Sequence, residues 1–432
     1  MKRRLPVVAL SLLVVAGLVG CGETSVTGET SEDATTSATS VQTVPDAVVD
    51  LSVWASTADS VAMDEIQDGF NAANPMTPIT LTVTEVSEGD VGGKYAEDPD
   101  SVPDIAHVPG DVVADMITSN YIAPFTDAED VLDGDISASA LATAEDSSGT
   151  VYGLPFSINT YFMYYDTSFY TEAQVTSVES MIATAKSEGT DTAFSFTNAD
   201  GWYGQCFFMS DGEGIFTEGG TNPNETYLNG TAALNAAKAM VEIYNAGNCD
   251  FDDGTTISTN LSNSHALVSG SWSYDSAVTA WGEENVGMTN LPTVKMGGKD
   301  TQLLSVGDYK SIVVSNNSEH KTLAKKVAYY MASAEGQKLR WDNNKGSTVP
   351  TSSELNSDAD FQALNKFADV VNDLLLAGTF QQNNNTNFSR WWDAWPTCQT
   401  SIKTNAATAT DEDLSGYLAT LDATLVAAST AA

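Results

Sequence analysis

Positive charge is scarce in this chain of 432 residues: 18 lysines and arginines stand against 58 aspartates and glutamates, a formal charge of −40. A surface of that sign repels phosphate backbones and anionic headgroups, which excludes nucleic acid as a partner. Its plain role is to keep the protein in solution. Histidine is scarcer still. His107, His265 and His320 stand singly, without a cysteine or second histidine at ligand spacing, so each reads as structural and no metal or other cofactor is expected. The four cysteines form no CxxC pair, and no internal repeat is visible. After the first twenty residues, no apolar run approaches the roughly twenty residues that a membrane-spanning helix needs.

What is present begins with Lys2, Arg3 and Arg4 ahead of the apolar run Val7 to Val19. That pattern predicts a secretory signal over residues 1–20, too short to span a bilayer. Leu18-Val19-Gly20-Cys21 resembles the bacterial lipobox, which implies that Cys21 is the first mature residue and carries the lipid. Acyl chains contribute about 0.8 kcal/mol per buried methylene, so two or three tether a protein without inserting it. Residues 22–46 are rich in Thr, Ser, Glu, Asp and Gly, cannot bury enough surface to order themselves, and read as a flexible spacer. The expected location is the outer face of the cell membrane, with the lipid anchor as the sole membrane contact.

Roughly 385 residues follow, more than one hydrophobic core usually serves, so two lobes are expected. Apolar strands alternate with helical patterns from Val48 onward, which argues for an α/β fold of mostly parallel sheets flanked by helices. Val48 to Trp54 is the first strand. Met63, Ile66 and Phe70 recur at helical spacing until Asn74-Pro75, and Ile79, Leu81 and Val83 alternate as the second strand. Pro103 to Val108 is a short third strand, followed by a helix from about Val112 to Ser119. Thr160 to Tyr165 opens a second lobe, Leu303 to Val314 is a long strand returning to the first, and Glu319 to Met331 is a helix. The lobes are placed at residues 47–157 with 308–348, and 158–307 with 349–432, joined by several crossovers that make a natural hinge. Cys206 and Cys249 fall in one such lobe and are the first choice for a disulfide, leaving Cys398 as a buried thiol.

Three stretches resemble the extracellular solute-binding proteins of carbohydrate ABC importers, and within them the maltose and maltooligosaccharide group. Pro103-Asp104-Ile105 with Gly110-Asp111 is similar to the family's first-lobe strand and the ligand-contacting loop after it. Tyr152-Gly153-Leu154-Pro155-Phe156-Ser157-Ile158-Asn159-Thr160, with Tyr164-Tyr165-Asp166, resembles its first crossover. Gly270-Ser271-Trp272, then Leu291-Pro292 and Glu335-Gly336-Gln337, resembles its late second-lobe block. The resemblance runs in order from Val48 to Trp395. It implies a two-lobe periplasmic-binding-protein-like fold that captures an oligosaccharide, maltodextrin first and galactan- or other plant-derived sugars as the alternative. It also implies an ABC permease as partner, a monomer, and no enzymatic activity.

A sugar presents hydroxyls at its rim and C–H patches on its faces, so a specific site needs aromatic plates edged by carboxylates and amides. Trp272 matches the family's principal stacking residue, and Tyr274 faces the same way if the segment is extended. Asp111 stands where the family places a sugar-binding carboxylate, although it could instead cap the helix that follows. Asp59, on the loop after the first strand, has the same two readings. Asn159 occupies a crossover position that holds an acid in the maltose binder; its amide can still donate and accept. Trp202 and Tyr203 lie on a glycine-flanked segment, and Glu88 and Lys94 on a loop before the third strand. Arg390-Trp391-Trp392 with Trp395 lies where the family lowers an aromatic onto its ligand, and helical spacing puts Trp391 and Trp395 on one face, so at least one belongs to the core. Trp281 and Trp341 are assigned to packing. An exported glycoside hydrolase also needs aromatics and carboxylates in a cleft, but no motif singles out two acids about 5 to 10 Å apart. A surface adhesin fits the lipobox but not the match through the cleft loops.

Overall fold

The computed structural model describes residues 47–190, 192–210, 214–251, 261, 264–344, 348–377, 380–381 and 387–427. The signal segment, Cys21 and the spacer lie outside the described residues. Eleven strands are present among those described: β1 Val49–Ala55, β2 Ile79–Glu85, β3 Ile105–Pro109, β4 Leu154–Asn159, β5 Phe162–Asp166, β6 Ala266–Ser269, β7 Val286–Thr289, β8 Thr293–Met296, β9 Lys299–Gln302, β10 Val306–Val314 and β11 Phe380–Gln381.

A six-stranded sheet is ordered β11-β10-β3-β1-β2, with β4 also on β10; the first lobe is built on its β10-β3-β1-β2 part, and β11 joins the beginning of β10, at Val306 and Gly307, from the second-lobe side. β1 runs parallel to β2 and to β3, while β10 runs antiparallel to β3 and to β4. β3 is short and almost wholly buried because helices cover both of its faces, as its unbroken apolar run requires. Leu51, Val53, Ile105 and Ile312 pack on one face with Ile66, Phe70 and Val327; Ala106, Val108 and Val313 pack on the other with Tyr95 and Met116. The helix Met63–Ala73 buries the three residues expected of it and stops at Asn74, ahead of Pro75.

The second lobe centres on β5, which is buried throughout and flanked by β6 and β7. Its alternate side chains enter different cores. Phe162 and Tyr164 pack with Leu267, Phe367 and Val371, whereas Met163 and Tyr165 pack with Met181, Ala193 and Met240. The expected parallel sheet is found in the first lobe only: β5 is antiparallel to both neighbours. Parallel pairing in the second lobe is reduced to single bridges, such as Ser195 to Leu267. The two strands that flank β5 both arrive from late in the chain, at Ala266–Ser269 and Val286–Thr289, and both run against it.

Cys206, Cys249 and Cys398 are all free thiols. The expected Cys206 to Cys249 disulfide is not formed: Cys206 is sealed among Phe196, Phe207 and Met240, and the Cys249 thiol is turned to the Ile243 carbonyl.

Three passages of chain cross between the lobes side by side. Asp308 faces Asn159 and Lys310 faces Ser157 in the β4–β10 register. Ile158 N–H donates to the Val349 carbonyl at 2.8 Å, and the Thr160 hydroxyl donates to the Val306 carbonyl at 3.0 Å. No described helix is long and apolar enough to cross a membrane.

Candidate ligand-binding cleft

β3 ends at Pro109, and the turn Gly110–Val112 aims Asp111 at the second lobe. β6 likewise ends at Ser269, and the turn Ser271–Ser273 carries Trp272. Trp272 is 45% exposed, unusual for so large an apolar ring. Its six-membered ring folds back over Gly270, where a Cβ would collide with it, so the glycine is what lets the indole lie along the cleft wall. The turn that exposes Trp272 also starts the helix Tyr274–Trp281, and this sends Tyr274 the other way. Tyr274 is buried against Phe367 under the Lys366 ammonium and does not share the cleft with Trp272.

A cavity of about 580 Å³ is lined by Glu88, Asp111, Trp202, Tyr203, Asp308 and Trp392, among others. A second, of about 290 Å³, is lined by Ser157, Asp275, Arg340, Asn343 and Thr348 among others. Asn159, Trp272 and Lys310 line both, so the two are one cleft with Trp272 at its waist.

The late helix Ser389–Asn405 divides its tryptophans by the helical period. Trp391 and Trp395 are fully buried, stacked with centroids 5.0 Å apart, and donate to the carbonyls of Gly201 and Asn198. Trp391 is therefore core rather than a ligand contact. Trp392, one residue on, reaches the cleft, and its Nε1 donates to Asp111 Oδ2 at 3.1 Å. Trp202 lies edge-on to Tyr161 at 5.6 Å, and its N–H is fixed by the capping carboxylate of Asp200. Tyr203 contributes one edge to the cavity while its hydroxyl approaches Ser269.

Asp59 is the clearest departure from expectation. It is wholly buried and occupied by Arg340 and by His107 at 3.2 Å, so it offers nothing to a ligand. Burial alone would raise its carboxyl; the Arg340 guanidinium beside it, with His107, holds it well below the usual range. Ser56, not Asp59, caps that turn. Asp111 caps nothing by side chain. Burial raises its carboxyl to about 6, against the Trp392 hydrogen bond, which lowers it. Burial also raises Asp308, to about 7, with the charge of Asp111 adding to the effect. Glu88 lines the cleft but is paired to Lys310 at 2.7 Å, and Lys94 lies on the exposed face of the helix Glu88–Glu97. Trp281 donates to the Ser264 carbonyl and Trp341 packs on Phe361, both as packing residues.

Asp308, Lys310, Asp200 and Arg340 were not anticipated at the cleft. A signal for two of them exists, since Asp308 and Lys310 fall two apart, on one face of a strand that ends in the apolar run Ile312 to Val314. Among the described residues, no group of three or more His, Cys, Asp or Glu is placed to hold a metal ion.

Residues 65–369 match the sequence profile described as bacterial extracellular solute-binding protein. The chain is 24% identical over 269 residues to the galactooligosaccharide-binding protein of Bacillus subtilis (strain 168), covering 59% of this chain and 62% of that protein, short of two thirds of its length. It is 23% identical over 312 residues to the maltooligosaccharide ABC transporter solute-binding lipoprotein of Streptococcus pneumoniae (strain ATCC BAA-255 / R6), covering 68% of this chain and 69% of that one. In three dimensions it resembles the maltodextrin binding protein MalE1 from L. casei BL23, solved without ligand, with a TM-score of 0.76 at 16% identity over 89% of this chain and all of that one. At that identity the likeness is one of fold.

Proposed function

The chain belongs to the bacterial extracellular solute-binding proteins, and from that premise we propose that it captures an oligosaccharide in the cleft around Trp272 and delivers it to an ABC permease. The observation that carries the reading is the half-exposed Trp272 ring at the waist of a continuous cleft, edged by Asp111, Asn159, Lys310, Trp202 and Trp392. A sugar face stacks on an indole while its hydroxyls reach carboxylate, amide and ammonium groups.

The cleft walls come from both lobes, which we take as residues 47–157 with 308–348, and 158–307 with 349–432. A ligand that touches both favours the closed arrangement by its differential affinity for it, and the three crossing passages are where the backbone would turn. Of the acids that line the larger cavity, Glu88 is tied to Lys310 and Asp308 to the N–H of Gly110. We propose no hydrolytic activity, a monomer, and tethering outside the cell through a lipid on Cys21.

Maltodextrin is the first substrate class, since the maltooligosaccharide-binding relative aligns over the longer stretch. A galactooligosaccharide is the second, supported by the relative that binds one. Calorimetry of residues 47–432 against maltose, maltotriose, galactobiose, xylobiose and raffinose, with product analysis of the same samples, tests both. Saturable binding without turnover is expected. Turnover of any sugar would replace binding by hydrolysis, and absence of binding throughout would remove the oligosaccharide reading.

A further inference from the structure

Asp308 is an acid in a strand whose end, Ile312 to Val314, is apolar and fully buried. Its own side chain is 3% exposed, yet it lines the larger part of the cleft. Oδ2 accepts from Gly110 N–H at 2.8 Å, and the N–H of Asp111 also supports the carboxyl. Gly110 is a glycine for this reason: a Cβ there would collide with Asp308 Oδ1. The Asp308 carboxyl of the crossing strand thus grips the backbone of the turn that presents Asp111.

The titratable and charged groups around this pair are Asp115 on the helix Val113–Thr118, Glu88 with its partner Lys310, Tyr309 on β10, and Asp200 and Tyr203 on the opposite wall. Lys310, the one cation lining that cavity among the described residues, is ion-paired with Glu88. Two carboxyls in one desolvated pocket do not both ionise without cost.

We propose that Asp308 is a positioning residue for the ligand carboxylate Asp111, holding its turn through the backbone and carrying the proton that lets Asp111 meet the ligand as an anion. This rests on the oligosaccharide reading above. An ionised Asp111 accepts sugar hydroxyls, while a protonated Asp308 keeps a second charge out of the cleft as water leaves it. The raised position of both groups, about 6 for Asp111 and about 7 for Asp308, places this division near neutral pH.

The test is affinity for maltotriose and galactobiose from pH 5 to 9 in the wild-type chain, Asp308→Asn and Asp308→Ala. In the wild type, binding is expected to weaken above pH 7 by up to about ten-fold per pH unit, because one proton must be taken up on binding. Asp308→Asn keeps an acceptor for Gly110 N–H and has no proton to lose. Its affinity at pH 6.5 is expected within about three-fold of wild type, and the alkaline decline is expected to vanish. Asp308→Ala releases the turn and should bind about ten-fold more weakly than Asp308→Asn at every pH, as expected when a buried N–H loses its acceptor. An Asp308→Asn chain that keeps the wild-type alkaline decline, or an Asp308→Ala chain that binds like Asp308→Asn at pH 6.5, overturns the proposal. Absence of wild-type binding to either sugar overturns the oligosaccharide reading instead. The carboxyl pair is then read in the ligand-free protein: a melting-temperature advantage of Asp308→Asn that grows with pH supports it, and a constant difference overturns it.

Discussion

Trp392 and Asp111, 281 residues apart in sequence, meet across the cleft in a hydrogen bond of 3.1 Å from the indole nitrogen to the carboxylate. One belongs to a helix packed on the second-lobe core, the other to the turn at the end of β3. A direct bond across the proposed ligand site makes each residue's state depend on the other's. Replacing Trp392 by Phe keeps a ring and removes the donor. Since this bond lowers the Asp111 carboxyl, its loss should move Asp111 upward from about 6. Carboxyl carbon NMR titration of the ligand-free variant measures the shift, and an unmoved Asp111 would deny the bond any electrostatic weight.

Trp272→Ala should weaken oligosaccharide binding by about 2 kcal/mol or more, as truncation of a central aromatic usually does. The ring is half exposed and touches little of the core, so the melting temperature should barely change. Calorimetry beside thermal unfolding separates the two effects. An unchanged affinity in a folded variant would refute Trp272 as the stacking surface.

Trp391→Ala should behave in the opposite manner. It removes a fully buried ring stacked on Trp395 and hydrogen-bonded to Gly201, at an expected loss of about 3–5 kcal/mol of stability. Denaturant unfolding measures this, and a loss under about 1 kcal/mol would mean that the helix repacks freely around the gap.

Arg340→Met should destabilise the protein by about 3–5 kcal/mol, because it leaves Asp59 charged, buried and deprived of its cation. The pH dependence carries the sign. Asp59 is held well below its ordinary value, so its pairing contributes stability above about pH 4 that is lost as pH falls through its folded-state value. The variant should therefore lose more stability at pH 7 than at acid pH. An equal loss at every pH, in denaturation series between pH 3 and 8, would mean the guanidinium acts by packing on Phe156 rather than by charge.

Carboxyls raised by burial run the other way. Asp111 and Asp308 bind protons in the folded chain that the unfolded chain has released, so stability should decline as pH rises from about 4 to about 7. Asp308→Asn should flatten that decline, and identical pH profiles of melting temperature for the two proteins would contradict it.

The local patterns were legible in the sequence because they depend on neighbours in the chain. The period of Met63, Ile66 and Phe70, the stop before Pro75 and the alternation of Ile79, Leu81 and Val83 gave elements within a few residues of those observed. Trp272, Asp111, Asn159 and Trp202 were legible through motif order, and all four line the cleft. Asp59 and Trp391 were misplaced for one physical reason. Whether a polar or aromatic side chain meets ligand or core depends on what arrives beside it from far along the chain: Arg340 beside Asp59, and Gly201 beside Trp391. Tyr274 was misplaced by a local event, the tight turn at Ser271–Ser273, which spacing alone did not reveal.

The sequence by itself determined the two-lobe α/β class, the acidic surface and the supply of aromatic and carboxyl groups, because hydrophobic period and composition act along the chain. Only the tertiary structure decided which acids are spent on cations, which tryptophan of the late helix reaches the cleft, and that Asp308 lies against Gly110. Those outcomes depend on desolvation and on contacts between residues hundreds of positions apart, whose free energies exist only once the lobes have folded against the crossing strands.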